Sequence, residues 1–173
     1  MYNRCAELLA EHAAKVFETM TGLRPGREVA ASGDATRTPR YTLGVRVGFA
    51  GRTGEGAPLE GFFVCAFETF ESARDIAGLI AQKLGLETPP ADDRAGVDDV
   101  LGEFLNIVIG LTCSDWAERG LATVFDPPQP MVVHSFSDVP PGSRGFHLTL
   151  SADGHPGVSI FLVFLSDGAR PSE

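Results

Sequence analysis

Glu103 and Asn106 are two residues whose types and spacing could support chemistry. They lie three positions apart in a predicted helix of about Val97 to Arg119, which places their Cβ atoms about 5–6 Å from each other on one face. An asparagine amide is not a base at physiological pH, and no histidine accompanies it on this helix, so a conventional acid–base dyad is poorly supported. An amide can, however, hold a water molecule by hydrogen bonds in line with a phosphorus atom, and phosphoryl transfer depends mainly on such positioning and on charge neutralisation.

The helix that carries this pair has two unequal surfaces on a wheel of about 100° per residue. A strip about 120° wide is small or polar throughout and the rest is apolar, so the helix must be largely enclosed by its own domain, with this strip exposed. Gly102 and Gly110 flank the pair, and a glycine inside a helix is about 1 kcal/mol less favourable than alanine. Two such glycines suggest that another surface comes close. The strip comprises Asp99, Gly102, Glu103, Asn106, Gly110, Cys113, Ser114 and Ala117, and the apolar surface comprises Val100, Leu101, Phe104, Leu105, Ile107, Val108, Ile109, Leu111 and Trp116.

A purely structural explanation of the same helix also exists. Glu103 and Asn106 would then be the solvated edge of a buried helix, and the two glycines would admit a neighbouring helix of the same domain. Spacing alone favours this explanation, because a Glu-x-x-Asn pair by itself is a weak signal.

The rest of the sequence predicts the elements that must position this helix. Three helices should end at Gly22, Gly85 and Gly120, each followed by leucine, because glycine adopts the left-handed conformation after the last turn and the next apolar residue folds back on the helix. Alternating apolar residues predict strands, with a hairpin at Asp153-Gly154. This order predicts an α+β fold in which an antiparallel β-sheet is covered by long helices. The predicted helices are 2–21, 70–84 and 97–119, and the predicted strands are 41–49, 61–67, 122–125, 131–136, 146–151 and 158–165.

Composition and charge limit the classes of function. The 173 residues fit one domain, 1–173, in which 1–4 and 167–173 are expected to be loosely ordered tails. The net charge of −9 disfavours nucleic acid or an anionic membrane as the main partner, because both require clustered cations. The first twenty residues are charged and helix-like rather than a signal peptide or a membrane span. Three widely spaced cysteines, Cys5, Cys65 and Cys113, predict reduced, mostly buried thiols, and we therefore expect a soluble cytoplasmic protein.

Other polar residues give weaker signals. No metal-ligand spacing is present, so we expect this chain to bind no metal. Asp92, Asp93, Asp98 and Asp99 form an acidic patch that is explained by the N-terminus of the third helix, although it could also steer a basic patch on a partner. The histidines are scattered and are interpreted as ordinary sheet, helix or turn residues: His12, His134, His147 and His155.

The stretch 103–110, Glu-Phe-Leu-Asn-Ile-Val-Ile-Gly, resembles the CheC and CheX chemotaxis phosphatases, whose signature is a helical Glu-x-x-Asn followed four residues later by glycine. The resemblance extends to 16–22, which looks like the end of the family's first helix. The stretch from Gly61 through Ala73 to Gly85 is similar to its strand, helix and glycine stop. Together these pieces cover most of residues 5–125 in the right order.

This resemblance implies a single CheX-like domain that hydrolyses the aspartyl phosphate of a phosphorylated CheY-like response regulator. It assigns to Asn106 the orientation of the attacking water, and to Glu103 an ion pair with a conserved lysine beside the phosphorylated aspartate. Gly102, Gly110 and Asp99 would lie in the docking surface. No cofactor is expected on this chain, because the Mg²⁺ ion belongs to the acidic pocket of the response regulator.

The resemblance also bears on the number of sites and on assembly. CheC-like relatives carry a second pair on the first helix, where this sequence has no matching asparagine, so we expect one site per chain, as in CheX. Relatives form dimers through the sheet, which implies a homodimer. Two other functions stay open: a non-catalytic CheX-like module that docks a response regulator or flagellar component, and a small-molecule sensor, for which the sequence shows no sign of an apolar cavity.

Overall fold

The computed structural model describes residues 1–32, 41, 43–131 and 142–166, without the side chains of 31 and 32. The described residues form three helices and seven strands. The helices are α1 (Tyr2–Thr21), α2 (Phe70–Leu84) and α3 (Arg94–Glu118). The strands are β1 (Gly26–Ser32), β2 (Leu43–Arg52), β3 (Pro58–Phe67), β4 (Ala122–Phe125), β5 (Gln129–Met131), β6 (Arg144–Ser151) and β7 (Val158–Phe164).

The strands form one sheet in the order β1-β6-β7-β3-β2-β4, and β5 pairs with β2 next to β4. Every pair of strands in this described part of the sheet is antiparallel. The predicted α+β class, with helices covering an antiparallel sheet, is therefore confirmed.

The sheet separates two apolar clusters, because successive side chains of a strand point to opposite faces. Strand β3 shows this most clearly: Phe63 and Cys65 pack under the helices, whereas Phe62, Val64 and Ala66 lie on the other face. The larger cluster contains the buried faces of α1, α2 and α3 together with residues of β2, β3, β6 and β7. Strand β3 is therefore buried on both faces from Gly61 to Phe67.

Each predicted glycine stop is left-handed, with φ of 77° at Gly22, 69° at Gly85 and 80° at Gly120. The leucine after the glycine behaves as expected at Leu121, which is 5% exposed. The side chain of Leu86 does not fold back on its helix and is 57% exposed, although the Leu86 amide donates to Ala81 O as expected for this cap. The backbone motif is therefore predicted by the sequence more securely than the packing of the side chain that follows it.

Some boundaries differ from the prediction. Strand β1 was not predicted, because as an edge strand it pairs through its backbone with β6 and its exposed sequence lacks an apolar alternation. The predicted loop between β2 and β3 is shorter, since Gly51, Arg52 and Pro58 belong to the hairpin ladder. Helix α1 begins at Tyr2, so residues 2–4 form its first turn rather than a loose tail. Residues 132–136 of a predicted strand, and the predicted tail 167–173, lie outside the described residues.

Two further findings concern the chain as a whole. The three cysteines are free and buried, as predicted. Across the part of the chain that the structure describes, no helix has the length and apolar character needed to cross a membrane.

Candidate functional site on helix α3

Helix α3 begins three residues earlier than predicted because Asp93 caps it. The Asp93 carboxylate accepts a hydrogen bond from the Gly96 amide at 3.0 Å, which satisfies one of the free donors of the first turn. At the other end, the Leu121 amide donates to Trp116 O at 2.9 Å, and Gly120 adopts the left-handed conformation that stops the helix.

The indole of Trp116 anchors α3 to the sheet. It is fully buried and stacks on Phe63, with ring centroids 5.7 Å apart and planes at 28°. Phe49 and Phe164 complete the cluster, at centroid distances of 5.7 and 5.9 Å from the indole. A second tie runs to α1, where His12 Nε2 and Asp115 Oδ2 are 2.9 Å apart. Helix α3 is thus held from two sides, which fixes the direction of its exposed face.

Glu103 and Asn106 both lie on this exposed face. The Glu103 side chain is exposed and Asn106 is half-buried. Neither side chain makes a hydrogen bond or an ion pair with another described residue. The carboxylate and the amide are therefore both available to a molecule that approaches from outside.

The exposed face is rotated relative to the helical-wheel prediction, by roughly 50° about the helix axis. Gly102 and Cys113 were expected on it, but both are buried. Ile107 and Leu111 were expected to be enclosed, but they are 38% and 42% exposed. The prediction was wrong here because it could not include β4 and the connector after it, residues 126–128, which cover the Gly102 side of the helix.

The two glycines consequently have different roles. A Cβ on Gly102 would lie 3.3 Å from Pro128 Cβ and 4.0 Å from Val45 Cγ1, so this glycine admits a neighbouring segment of the same chain. A Cβ on Gly110 would meet no other atom within 4 Å. Close packing within the domain therefore explains the glycine at 102, and Gly102 does not belong to the expected docking surface. It does not explain the glycine at 110.

The predicted acidic patch has three different environments. Asp93 is the helix cap and Asp98 is buried, whereas Asp92, in the turn before the helix, and Asp99, next to Glu103, are exposed. Burial raises the pKa of the Asp98 carboxyl, against the opposing effect of the Arg94 guanidinium, whose Nε donates to Asp98 Oδ2 at 3.4 Å. Only part of the patch can therefore face a partner, and Asp99 is the member of it that lies on the same face as Glu103.

The sequence predicted that His134 and His147 are ordinary sheet residues and that the chain binds no metal. His147 lies in β6, where it stacks on Phe161 at 4.4 Å, and its Nε2 is 3.1 Å from Ser159 Oγ, in agreement with its interpretation as a sheet residue. His134 lies outside the described residues. Within the described ranges, no group of three or more His, Cys, Asp or Glu side chains is placed to hold a metal ion.

Glu103 and Asn106 line none of four surface cavities formed by described residues. One cavity of about 730 Å³ lies between α2 and the β6–β7 turn, with Arg74, Gln82 and His155 among its lining residues. Another of about 680 Å³ lies between the start of α1 and the β2–β3 turn, next to Arg4 and Arg119. A pair that lies on a helix face outside these cavities is suited to act on a macromolecule that is brought to it, rather than on an enclosed small molecule.

The fold of this chain is similar to the folds of several solved chemotaxis proteins. CheX of Vibrio vulnificus is 20% identical, with a TM-score of 0.70 over 93% of this chain and 99% of that one. A chain of the CheX–CheY–BeF3–Mg²⁺ complex from Borrelia burgdorferi is 18% identical, with a TM-score of 0.71 over 92% of this chain and 97% of that one. CheX of Desulfovibrio desulfuricans is 14% identical, with a TM-score of 0.70 over 93% and 99% of the two chains.

These similarities span nearly the whole length of each protein, and the fold of this chain is of the CheX type. The resemblance inferred from the sequence is thereby confirmed at the level of the fold. No protein-family model and no curated protein sequence matches the chain.

Proposed function

We propose that this protein is a phosphatase that hydrolyses the aspartyl phosphate of a phosphorylated CheY-like response regulator in chemotaxis signalling. The observation that carries the proposal is the position of Glu103 and Asn106 on the exposed face of a firmly anchored helix in a CheX-type fold, where neither side chain is paired with another described residue. One of the structural neighbours belongs to a complex of CheX with CheY, BeF3 and Mg²⁺.

The proposed reaction needs little covalent chemistry from this chain. Asn106 holds a water molecule in line with the phosphorus atom, and the phosphorus–oxygen bond to the regulator's aspartate breaks as the water oxygen bonds to phosphorus. The products are a free aspartate carboxylate and inorganic phosphate, and the proton released from the water goes to phosphate or solvent. Glu103 pairs with a lysine of the regulator and so fixes the distance between the two proteins. The Mg²⁺ ion that neutralises the phosphoryl oxygens is contributed by the regulator.

The proposed assembly is a homodimer formed through the sheet, in the cytoplasm. Strands β1 and β4 are the two edges of the described sheet, and Val124 and Phe125 of β4 are 73% and 43% exposed. An edge strand with exposed apolar side chains tends to be covered by a further chain. Sedimentation equilibrium tests this assembly against the monomer mass of 18.4 kDa.

The test of the reaction is the decay of a phosphorylated CheY-like regulator with and without the purified protein. The wild type should accelerate decay. Asn106→Ala should remove the acceleration while leaving folding and regulator binding largely intact, and Glu103→Ala should mainly weaken binding. Gln82→Ala in α2 and Glu18→Ala in α1 are matched controls, because they remove an exposed amide and an exposed carboxylate from other helices.

The outcomes separate two functions. If the wild type binds an activated regulator but leaves its decay rate unchanged, the chain is a non-catalytic docking module. If Asn106→Ala and Glu103→Ala lose thermal stability in parallel with activity, the pair belongs to the structure of the helix and the proposed chemistry is wrong.

A further inference from the structure

Ile107 and Leu111 form an exposed apolar surface directly beside the Glu103–Asn106 pair. They are 38% and 42% exposed, although Val108 and Ile109 between them are fully buried. Positions four apart on a helix are surface neighbours, so Glu103, Ile107 and Leu111 form one continuous row. Gly110 adjoins this row and leaves it open, because a Cβ there would meet no other atom within 4 Å. We call Ile107, Gly110 and Leu111 the α3 patch.

The fold gives no reason for the α3 patch to be apolar. Leaving the side chains of isoleucine and leucine partly in water forgoes part of the roughly 1.5–3 kcal/mol that complete burial of each would contribute. A glycine at 110 adds a further cost to the helix of about 1 kcal/mol relative to alanine. A polar residue or an alanine would serve the isolated chain better at each of these positions.

Carboxylates stand at both ends of the α3 patch. Asp99 and Glu103 are exposed on its N-terminal side, and Glu118 is exposed on its C-terminal side. An anionic membrane would be repelled by this frame, and the 23 acidic against 14 basic residues of the chain reinforce that repulsion. The complementary surface is that of a protein with an apolar centre and cationic side chains around it.

We propose that the α3 patch is the surface by which this protein docks its response regulator, an inference that rests on the proposed function. The regulator would place apolar side chains against Ile107 and Leu111 and its lysine against Glu103. Leu111 lies eight residues beyond Glu103, about 12 Å along the helix axis at 1.5 Å per residue. A standard interface covers about 800 Å² on each partner, so a regulator that reaches Asn106 also covers the α3 patch.

The experiment replaces Ile107 and Leu111 separately with serine and measures kcat and KM for decay of the phosphorylated regulator. Each substitution should raise KM about tenfold, the loss expected when one of the few side chains that carry most of an interface's binding energy is truncated, and should leave kcat at saturating regulator close to that of the wild type. The dissociation constant for the BeF3-activated regulator should rise by the same factor. Asn106→Ala should show the opposite pattern, with kcat lost and the dissociation constant kept.

Leu86→Ser is the matched control, because Leu86 is an equally apolar and 57% exposed residue on another surface. It should change neither constant. Thermal unfolding of each variant separates loss of docking from loss of structure. Sedimentation of each variant measures its oligomeric state and shows whether the α3 patch instead joins two copies of this chain.

The inference is overturned if the wild type is active and Ile107→Ser and Leu111→Ser have its KM, or if they lower kcat alone, or if they dissociate a dimer without changing KM. If the wild type neither binds nor dephosphorylates any regulator, the proposed function has failed and the inference falls with it. The two failures are distinguishable because the wild type is active when the inference alone fails and inactive when the proposed function fails.

Discussion

Gly110→Ala should affect stability and function in opposite directions. In the free protein, Gly110 is half-buried, does not have a positive φ, and has open space where a Cβ would stand. Alanine there gains about 1 kcal/mol of helix propensity without a steric penalty. For a protein of this size, that gain corresponds to a rise in the melting temperature of roughly 2–4 °C.

The same methyl group should weaken engagement of the regulator. It would stand beside Asn106 and Ile107, on the surface that a docked regulator must approach closely. Overpacking of a close contact typically costs about 1–3 kcal/mol, so we expect KM for the phosphorylated regulator to rise by at least about fivefold. Denaturant unfolding and steady-state decay kinetics on the same preparations measure the two effects.

Gly102→Ala is the contrasting variant. A Cβ there lies 3.3 Å from Pro128 Cβ, tighter than ordinary van der Waals contact, and the proline ring has little freedom to move away. We therefore expect this substitution to lower the free energy of unfolding rather than raise it. If Gly110→Ala is destabilising, or if it stabilises the chain while KM stays at the wild-type value, the assignment of Gly110 to a docking surface is refuted.

Two further predictions concern titratable groups that folding shields from water, a half-buried histidine of the sheet and two cysteines of the core. Burial lowers the pKa of His147 below its ordinary 6.5, so the unfolded chain binds a proton first, and the free energy of unfolding should fall as pH is lowered from about 7 towards 5. His147→Gln should flatten that dependence in denaturant titrations at the two pH values, and an unchanged slope would contradict the assignment. Burial raises the pKa of Cys5 to about 11 and of Cys65 to about 12, so a thiol reagent at pH 8 should label them only as the protein unfolds. Rapid labelling of the native protein would show that the helix–sheet core opens without global unfolding.

The elements with local signals were predictable from the sequence, and those held by distant contacts were not. Helix α2 has the predicted bounds because Thr69 caps its start, with its hydroxyl accepting from the Ser72 amide at 3.1 Å, and Gly85 ends it. Strand β1 was missed because its pairing with β6 depends on backbone hydrogen bonds to residues more than a hundred positions away.

The candidate site shows the same division. The presence of Glu103 and Asn106 on one accessible face follows from helical periodicity alone. The placement of Gly102 in the core, and of Ile107 and Leu111 in solvent, depends on where the connector 126–128 crosses the helix. A helical wheel contains no information about which segments pack against the helix. Those segments, which come from distant parts of the chain, decide which side of the helix is buried.

Trp116 gives the protein an intrinsic optical reporter of helix α3. It is the single tryptophan in the sequence, and it lies ten residues beyond Asn106 on the same helix, fully buried against Phe49, Phe63 and Phe164. Its fluorescence emission therefore comes from one known position, free of contributions from any other indole in the chain. A shift towards longer wavelength means that water has reached the interface between α3 and the sheet, whereas constant emission on binding means that the helix serves its partner as a rigid body.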